Sequence, residues 1–193
     1  ELRQAITEYA KKVDFPLDNV FIMDGSKRST KANAFFGGMG KRKKIVLFDT
    51  LVETLSTEEI VAVLAHEAGH YKRKHIIWMT ISSCVNIGLI LYLFSLIVYT
   101  EQISFALGLD KLYFHINLIA FFILLTPIQK VSSILMTVFS RKNEFEADEY
   151  ATLTYSSLPL ISALKKLSKK SLSNLTPHPA YVFYHYTHPT AVS

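Results

Sequence analysis

Two long stretches without a charged side chain restrict what this chain can fold into. From Ile76 to Thr100 there are 25 residues with no Asp, Glu, Lys or Arg, more than the roughly 20 that an α-helix needs to cross the hydrocarbon core of a bilayer. From Leu112 to Gln129 there are 18 more, then Lys130 and a further ten uncharged residues to Ser140. Pro127 and Lys130 interrupt this second span. A chain of 193 residues offers too little protein to bury two such helices, so the pattern predicts a pair of membrane-crossing helices surrounded by lipid bilayer. An apolar fraction of 50% and a mean hydropathy of +0.23 agree with that class. The net charge of +5 includes basic clusters that flank the spans, which reads as a topology signal. No aromatic-basic module accompanies it, so no nucleic-acid partner is expected.

The spans are disposed symmetrically. If residues 57–100 and 112–155 form antiparallel helices, His70 lies level with Glu144 when the chain turns at residue 107, beside Gly108. The same fold-back sets Lys72-Arg73-Lys74 opposite Arg141-Lys142, while the turn carries Glu101, Asp110 and Lys111. The excess of Lys and Arg assigns the His70 end to the cytoplasmic side. Upstream, residues 1–13 have helical spacing, with Leu2, Ile6 and Tyr9 on one side and Pro16 beyond the expected stop. The first residues are charged and lack an apolar core, so no signal peptide is expected there. Three β-prone runs, Val20–Met23, Ala34–Phe36 and Ile45–Phe48, are separated by Asp24-Gly25 and by a glycine-rich stretch, and predict a small antiparallel sheet. Ser56 with Glu59 three residues on is a capping box that opens an apolar helix. Past Ser156 come a basic helical stretch, Lys165 to Lys170, and an aromatic, proline-containing segment to Ser193.

The chemistry lies where the first apolar helix begins. His66-Glu67-Ala68-Gly69-His70 is an H-E-x-x-H pattern. Positions i and i+4 fall on one helical face one turn apart, so both imidazoles can reach one Zn²⁺, with Glu67 beside it as a general base. Cys84 is the only cysteine, so no thiolate zinc cluster can be built from this chain and any metal must use His and carboxylate. Asn143-Glu144-Phe145-Glu146-Ala147-Asp148 supplies candidates, Glu144 and Asp148 sharing a face at i and i+4. That spacing suits a ligand and a carboxylate that orients a ligating His, and equally suits a solvated acidic helix end. At about 100° per residue, Ser133, Thr137, Ser140, Glu144, Asp148 and Ala151 align, whereas Glu146 and Glu149 lie off that face. The face of His66 and His70 continues through Thr80, Cys84 and Gly88, so two stripes of small residues are expected to meet.

At these residues the chain resembles the integral-membrane zinc endopeptidases of the type I CAAX prenyl protease kind. The resemblance spans Gly25-Ser26-Lys27-Arg28-Ser29-Thr30, Asn33-Ala34-Phe35-Phe36, Ile45-Val46-Leu47-Phe48-Asp49-Thr50-Leu51, the H-E-x-x-H pattern and Glu144-x-x-x-Asp148. It implies one zinc per chain on His66, His70 and Glu144, with Glu67 as the catalytic base and Asp148 behind a ligand. It further implies that the strand of Asn33, Ala34 and Phe35 pairs with an extended peptide substrate. His188-Pro189 resembles the family's C-terminal His-Pro, which implies that His188 hydrogen-bonds the oxyanion; as a lone histidine it reads as a surface residue.

The fold expected from residues and resemblance together is mainly α and membrane-embedded, a transmembrane helical hairpin carrying the zinc site with a small antiparallel β-sheet next to it. Residues 1–193 form one peptidase domain: 1–55 an N-terminal helix and sheet, 56–100 the zinc-binding helix running into a span, 112–155 the second span running into the third-ligand helix, and 156–193 a C-terminal segment. The family's upstream transmembrane helices are not in this sequence. The resemblance implies removal of the last three residues of isoprenylated CAAX proteins, in the endoplasmic reticulum of a eukaryote or the inner membrane of a bacterium. The alternatives are a heat-shock type quality-control protease without prenyl specificity and a zinc-binding membrane scaffold or transporter that hydrolyses nothing. Glu67 argues against the last, since metal binding alone does not require it. The sequence says nothing of oligomeric state.

Overall fold

The computed structural model describes residues 1–27, 34–37, 42–172, 174 and 176–187. Asn33 and His188 lie outside the described residues. In chain order the elements are α1 (Leu2–Lys12), β1 (Leu17–Met23), β2 (Ala34–Gly37), β3 (Lys43–Phe48), α2 (Asp49–Val52), α3 (Thr57–Lys72), α4 (His75–Ile97), α5 (Glu101–Ala106), α6 (Phe114–Thr154), α7 (Ser157–Lys170) and α8 (Pro179–His185).

The hub is α3. Its capping box forms as the sequence predicts: the Ser56 hydroxyl accepts from the Glu59 N–H at 3.3 Å and Glu59 Oε2 accepts from the Ser56 N–H at 2.8 Å. The same buried carboxylate takes the Ser162 hydroxyl at 2.6 Å and Lys166 Nζ at 2.8 Å, which ties α7 onto the start of α3. Ile60, Val61, Leu64, Ala65 and Ala68 of α3 join Ile6 and Tyr9 of α1, Leu160 and Ala163 of α7, and Ile45 and Leu47 of β3 in one core.

The sheet is mixed, not antiparallel. Its order is β1-β3-β2, with β1 parallel to β3 from Val20↔Ile45 to Met23↔Phe48 and β2 antiparallel to β3 from Ala34↔Leu47 to Gly37↔Lys44. Asp24-Gly25 does not close a hairpin. Instead Gly25 N–H and Ser26 N–H each donate to Asp49 Oδ1 at 3.0 Å. Asp49 follows β3 directly, so its carboxylate fastens the carboxyl ends of β1 and β3 side by side, an arrangement that only parallel strands allow. The side-chain hydrogen bond from Ser26, helped by these backbone N–H donors, holds Asp49 below the usual carboxylate range despite partial desolvation. β2 is left at an edge of the sheet.

Both apolar stretches are helices long and apolar enough to cross a membrane, and their outer faces, from Ile76 and Trp78 to Phe122 and Ile123, are exposed on the protein. Gly108, at φ +82, lies in the turn between them. Buried Asn117 closes this end, donating to the carbonyls of Val98 at 3.1 Å and Thr100 at 2.8 Å and accepting from the Ser104 hydroxyl at 2.8 Å. The expected single helix over 57–100 is two helices, because Lys74 adopts a left-handed conformation, φ 58 and ψ 31, between α3 and α4. The break resets the helical phase, and the stripe predicted through Thr80, Cys84 and Gly88 is exposed. A Cβ on Gly88 would meet nothing within 4 Å. The face of α4 turned to α6 runs instead through Met79, Ser82, Asn86, Ile90 and Phe94. Ser132 donates to Asn86 Oδ1 at 2.7 Å and Phe94 packs edge-on to Phe121 at 5.2 Å. α6 is continuous over 41 residues through Pro127.

Burial alone would raise the Glu59 carboxyl, but hydrogen bonds from Lys166, Ser162 and the Ser56 backbone outweigh it and hold the pKa below the ordinary value. A depressed carboxylate stabilises the fold above its unfolded pKa, near 4.3, and that stability drains away as pH falls through the folded value. Glu59→Gln is therefore expected to cost about 1–2 kcal/mol at pH 7, and the gap should shrink as the pH is lowered below the unfolded carboxyl pKa. Melting temperatures of the detergent-solubilised variant and parent across that range check it; a gap independent of pH contradicts the assignment.

Candidate metal centre

Imidazoles four residues apart on a helix stack one turn above another, and α3 sets His66 and His70 edge to face with ring centroids 4.8 Å apart. Their Nε2 atoms are 3.1 Å apart. Glu144 of α6 faces both, with Oε2 at 3.4 Å from His66 Nε2 and Oε1 at 3.5 Å from His70 Nε2. Two donors at about 2.05 Å from a tetrahedral Zn²⁺ lie about 3.3 Å apart. The two imidazole nitrogens are 3.1 Å apart and each has one oxygen of the Glu144 carboxylate at 3.4–3.5 Å, so the three side chains converge at close to the spacing of zinc ligands, and two neutral imidazoles with a carboxylate are a donor set zinc accepts.

The close approach of α6 has a local cause. A Cβ on Gly69 would lie 2.9 Å from Ala147 Cα and 3.1 Å from the Ala147 carbonyl oxygen. Glycine in the H-E-x-x-H run lets one backbone rest on the other, and Glu144 lies one turn from that contact.

Each histidine has a partner for its other ring nitrogen. His66 Nδ1 is 2.8 Å from Asp148 Oδ1, which turns its Nε2 lone pair toward the cluster. Burial would lower the His66 pKa, but Asp148 and Glu144 overcome it and push the imidazole up to about 9. The pocket therefore favours positive charge. His70 Nδ1 is 3.0 Å from Nδ1 of His75, and His75 Nε2 is 3.2 Å from Glu146 Oε2. Sequence reasoning missed His75. On an unbroken helix it would sit about 140° from His70, and nothing in the residue types announces the left-handed Lys74. Glu146 is off the Glu144 face, paired with His75 and with Lys142 at 3.9 Å, and Glu149 faces Arg73 at 3.9 Å.

Glu67 lines a cleft of ≈ 50 Å³ together with His70, Tyr71, Phe36, Gly37, Lys43 and Lys44. The end of edge strand β2 and the expected base thus share one recess. Ala34, paired with Leu47, and Phe35, packed edge-on to Phe48 at 5.4 Å, lie farther along the strand. The C-terminal segment is tied to α6 three residues before Glu144 by Arg141, whose Nη1 donates to the carbonyls of Val182, Phe183 and Tyr186 at 3.1, 3.1 and 2.9 Å.

Residues 1–193 match the family model of peptidase family M48 along their whole length. The chain belongs to peptidase family M48. Among M48 relatives, CAAX prenyl protease 1 of Saccharomyces cerevisiae is 40% identical over 206 residues, covering 98% of this chain and 46% of that protein. The human CAAX prenyl protease 1 homolog is 33% identical over 228 residues, covering 98% and 48%. The crystal structure of S. mikatae Ste24p superposes with a TM-score of 0.84 at 40% identity, covering 100% of this chain and 47% of that one. The chain spans about half the length of the M48 relatives it matches. Membership of a metallopeptidase family implies a metal, which the donor set at His66, His70 and Glu144 fits.

Gly69→Ala separates two effects. Alanine favours a helix interior by about 1 kcal/mol over glycine, yet its methyl would overlap the Ala147 backbone and displace α6 with Glu144. We expect metal affinity to fall about tenfold or more in a protein that still folds. Competitive metal titration measures it, and undiminished affinity would contradict the packing argument.

Proposed function

We propose that this chain is the catalytic portion of a zinc-dependent membrane endopeptidase that removes the last three residues from isoprenylated CAAX proteins. The observation that carries the reading is the triangle of His66, His70 and Glu144 with Glu67 one position from a ligand and open to a cleft at a sheet edge. Names of the relatives, CAAX prenyl protease 1 and its homologs, supply the substrate class.

In this reading His66, His70 and Glu144 hold one zinc ion per chain, and Asp148 fixes the orientation of His66. Zinc bound there supplies Lewis acidity toward a peptide carbonyl and lowers the pKa of water. The Glu67 carboxylate takes the proton from the attacking water and returns it to the departing amide nitrogen. Ala34 and Phe35 at the edge of β2, together with Asn33 just before them in sequence, pair with the substrate backbone and deliver the scissile bond to the cleft. His188 donates to the oxyanion. Residues 1–193 act as one peptidase domain. α4 and the first half of α6 cross the bilayer, and the basic cluster of Lys72, Arg73, Lys74, Arg141 and Lys142 keeps the site on the cytoplasmic face, in a eukaryotic cell that of the endoplasmic reticulum.

Glu67→Gln should retain one zinc per chain and lose about 10²–10⁴-fold in turnover, read by metal analysis beside peptide cleavage. Chelation should abolish cleavage and added zinc restore it. A prenylated CAAX peptide should be cleaved far better than its unprenylated twin; equal cleavage of the pair favours the quality-control alternative.

A further inference from the structure

His75 lies outside the H-E-x-x-H pattern, yet it is only 2% exposed at the first turn of a helix whose remaining surface is largely open. Two ring partners account for its burial. Its Nδ1 meets His70 Nδ1 at 3.0 Å, its Nε2 meets Glu146 Oε2 at 3.2 Å, and its ring stands edge to face on His70 with centroids 5.0 Å apart. We propose that His75 and Glu146 are positioning residues for His70, a carboxylate–imidazole relay that fixes the tautomer and ring plane of this ligand as Asp148 does for His66. The inference rests on the reading of His70 as a zinc ligand.

The hydrogen-bond directions follow from that reading. A His70 that ligates through Nε2 keeps its proton on Nδ1 and donates it. His75 Nδ1 must then accept, so its own proton sits on Nε2 and is donated to Glu146. Both ligating histidines thereby end on a carboxylate of α6, one directly and one through a second imidazole. The left-handed Lys74, φ 58, makes this possible. On a continuous helix His75 would face about 140° away from His70; the break swings it back under the ring. Glu146, two residues from Glu144 and on another face of α6, is within reach only because His75 bridges the gap.

The test uses the full chain, zinc-loaded in nanodiscs, and follows zinc loss to excess chelator, with the ligand-field bands of cobalt(II)-substituted protein as a second readout. His75→Phe keeps a buried ring but can neither accept nor donate, and should speed zinc release about tenfold or more and shift the cobalt bands. His75→Gln, whose amide can accept from His70 and donate to Glu146, should recover most of the loss. Glu146→Leu should speed release without altering either ring. Should His75→Phe fail to fold, Glu146→Leu decides, since the Glu146 side chain is 33% exposed and tolerates change. Wild-type release and unshifted bands in the folded variants would overturn the relay. A parallel His70→Ala separates the two levels: if it loses zinc while the relay variants do not, only the relay falls, and if it holds zinc as tightly as the parent, the ligand reading falls and takes the relay with it.

Discussion

The contact of the Gly69 backbone with that of Ala147 sets the scale for everything around it. α3 and α6 run antiparallel there, so pairs of side chains rise on one helix as they descend on the other: His66 meets Asp148, and His70 meets Glu144. A carboxylate side chain reaches only a few ångströms beyond its helix. With even one methyl group between the backbones, Glu144 and Asp148 would not both stay in contact with two histidines a turn apart. The rest of the core serves this contact. α7 is clamped to α3 by the buried Glu59, and α1 packs on the same helix, so α3 is held by its neighbours as α6 presses on it.

Much of the centre was legible from helical phase. The i and i+4 spacings of the two histidines and of Glu144 and Asp148 each set a pair on one face, and the mirror position of the turn put the two pairs at the same depth. Gly108 does lie in that turn with a positive φ. Thr137, Ser140, Glu144 and Ala151 are buried along the face that phase assigned to them, although Ser133 is exposed. Phase is a local quantity, however, and it carries forward only while the helix is unbroken. The stripe extrapolated past Lys74 to Thr80, Cys84 and Gly88 fell on the outside for that reason, and His75 went unseen.

The sheet shows the same limit in another form. Asp24-Gly25 has the composition of a hairpin turn, and short-range rules can only join neighbours in sequence. What sets β1 parallel to β3 is a carboxylate that follows β3, Asp49, reaching amides that follow β1. That bond links residues 24 apart, and no pattern within either strand records it. The outcome matters for the cleft, because placing β3 in the middle leaves β2 at the edge, with Phe36 and Gly37 beside Glu67.

Two interruptions of helical sequence behave opposite to their residue types. Pro127 removes a hydrogen bond and crowds the carbonyl four residues back, a cost of about 3 kcal/mol in a helix interior, yet α6 runs through it. Lys74 carries no breaking signal, and the left-handed conformation costs about 1–2 kcal/mol for such a residue, yet the chain breaks there. The balance at Lys74 is set by its neighbours. The amides of Arg73, Lys74 and Ile77 bond to the carbonyls of Gly69, Tyr71 and Lys74 at 2.9–3.1 Å, and Lys72 Nζ donates to the Asp14 carbonyl at 2.9 Å. An unbroken helix would bond the same amides, so what offsets the strain is the Lys72 bond and the two contacts of His75, at about 1 kcal/mol each. The direction in which α4 leaves the core is thus set by the same histidine that touches His70, so the path of the apolar helix and the orientation of a ring in the metal centre depend on one joint.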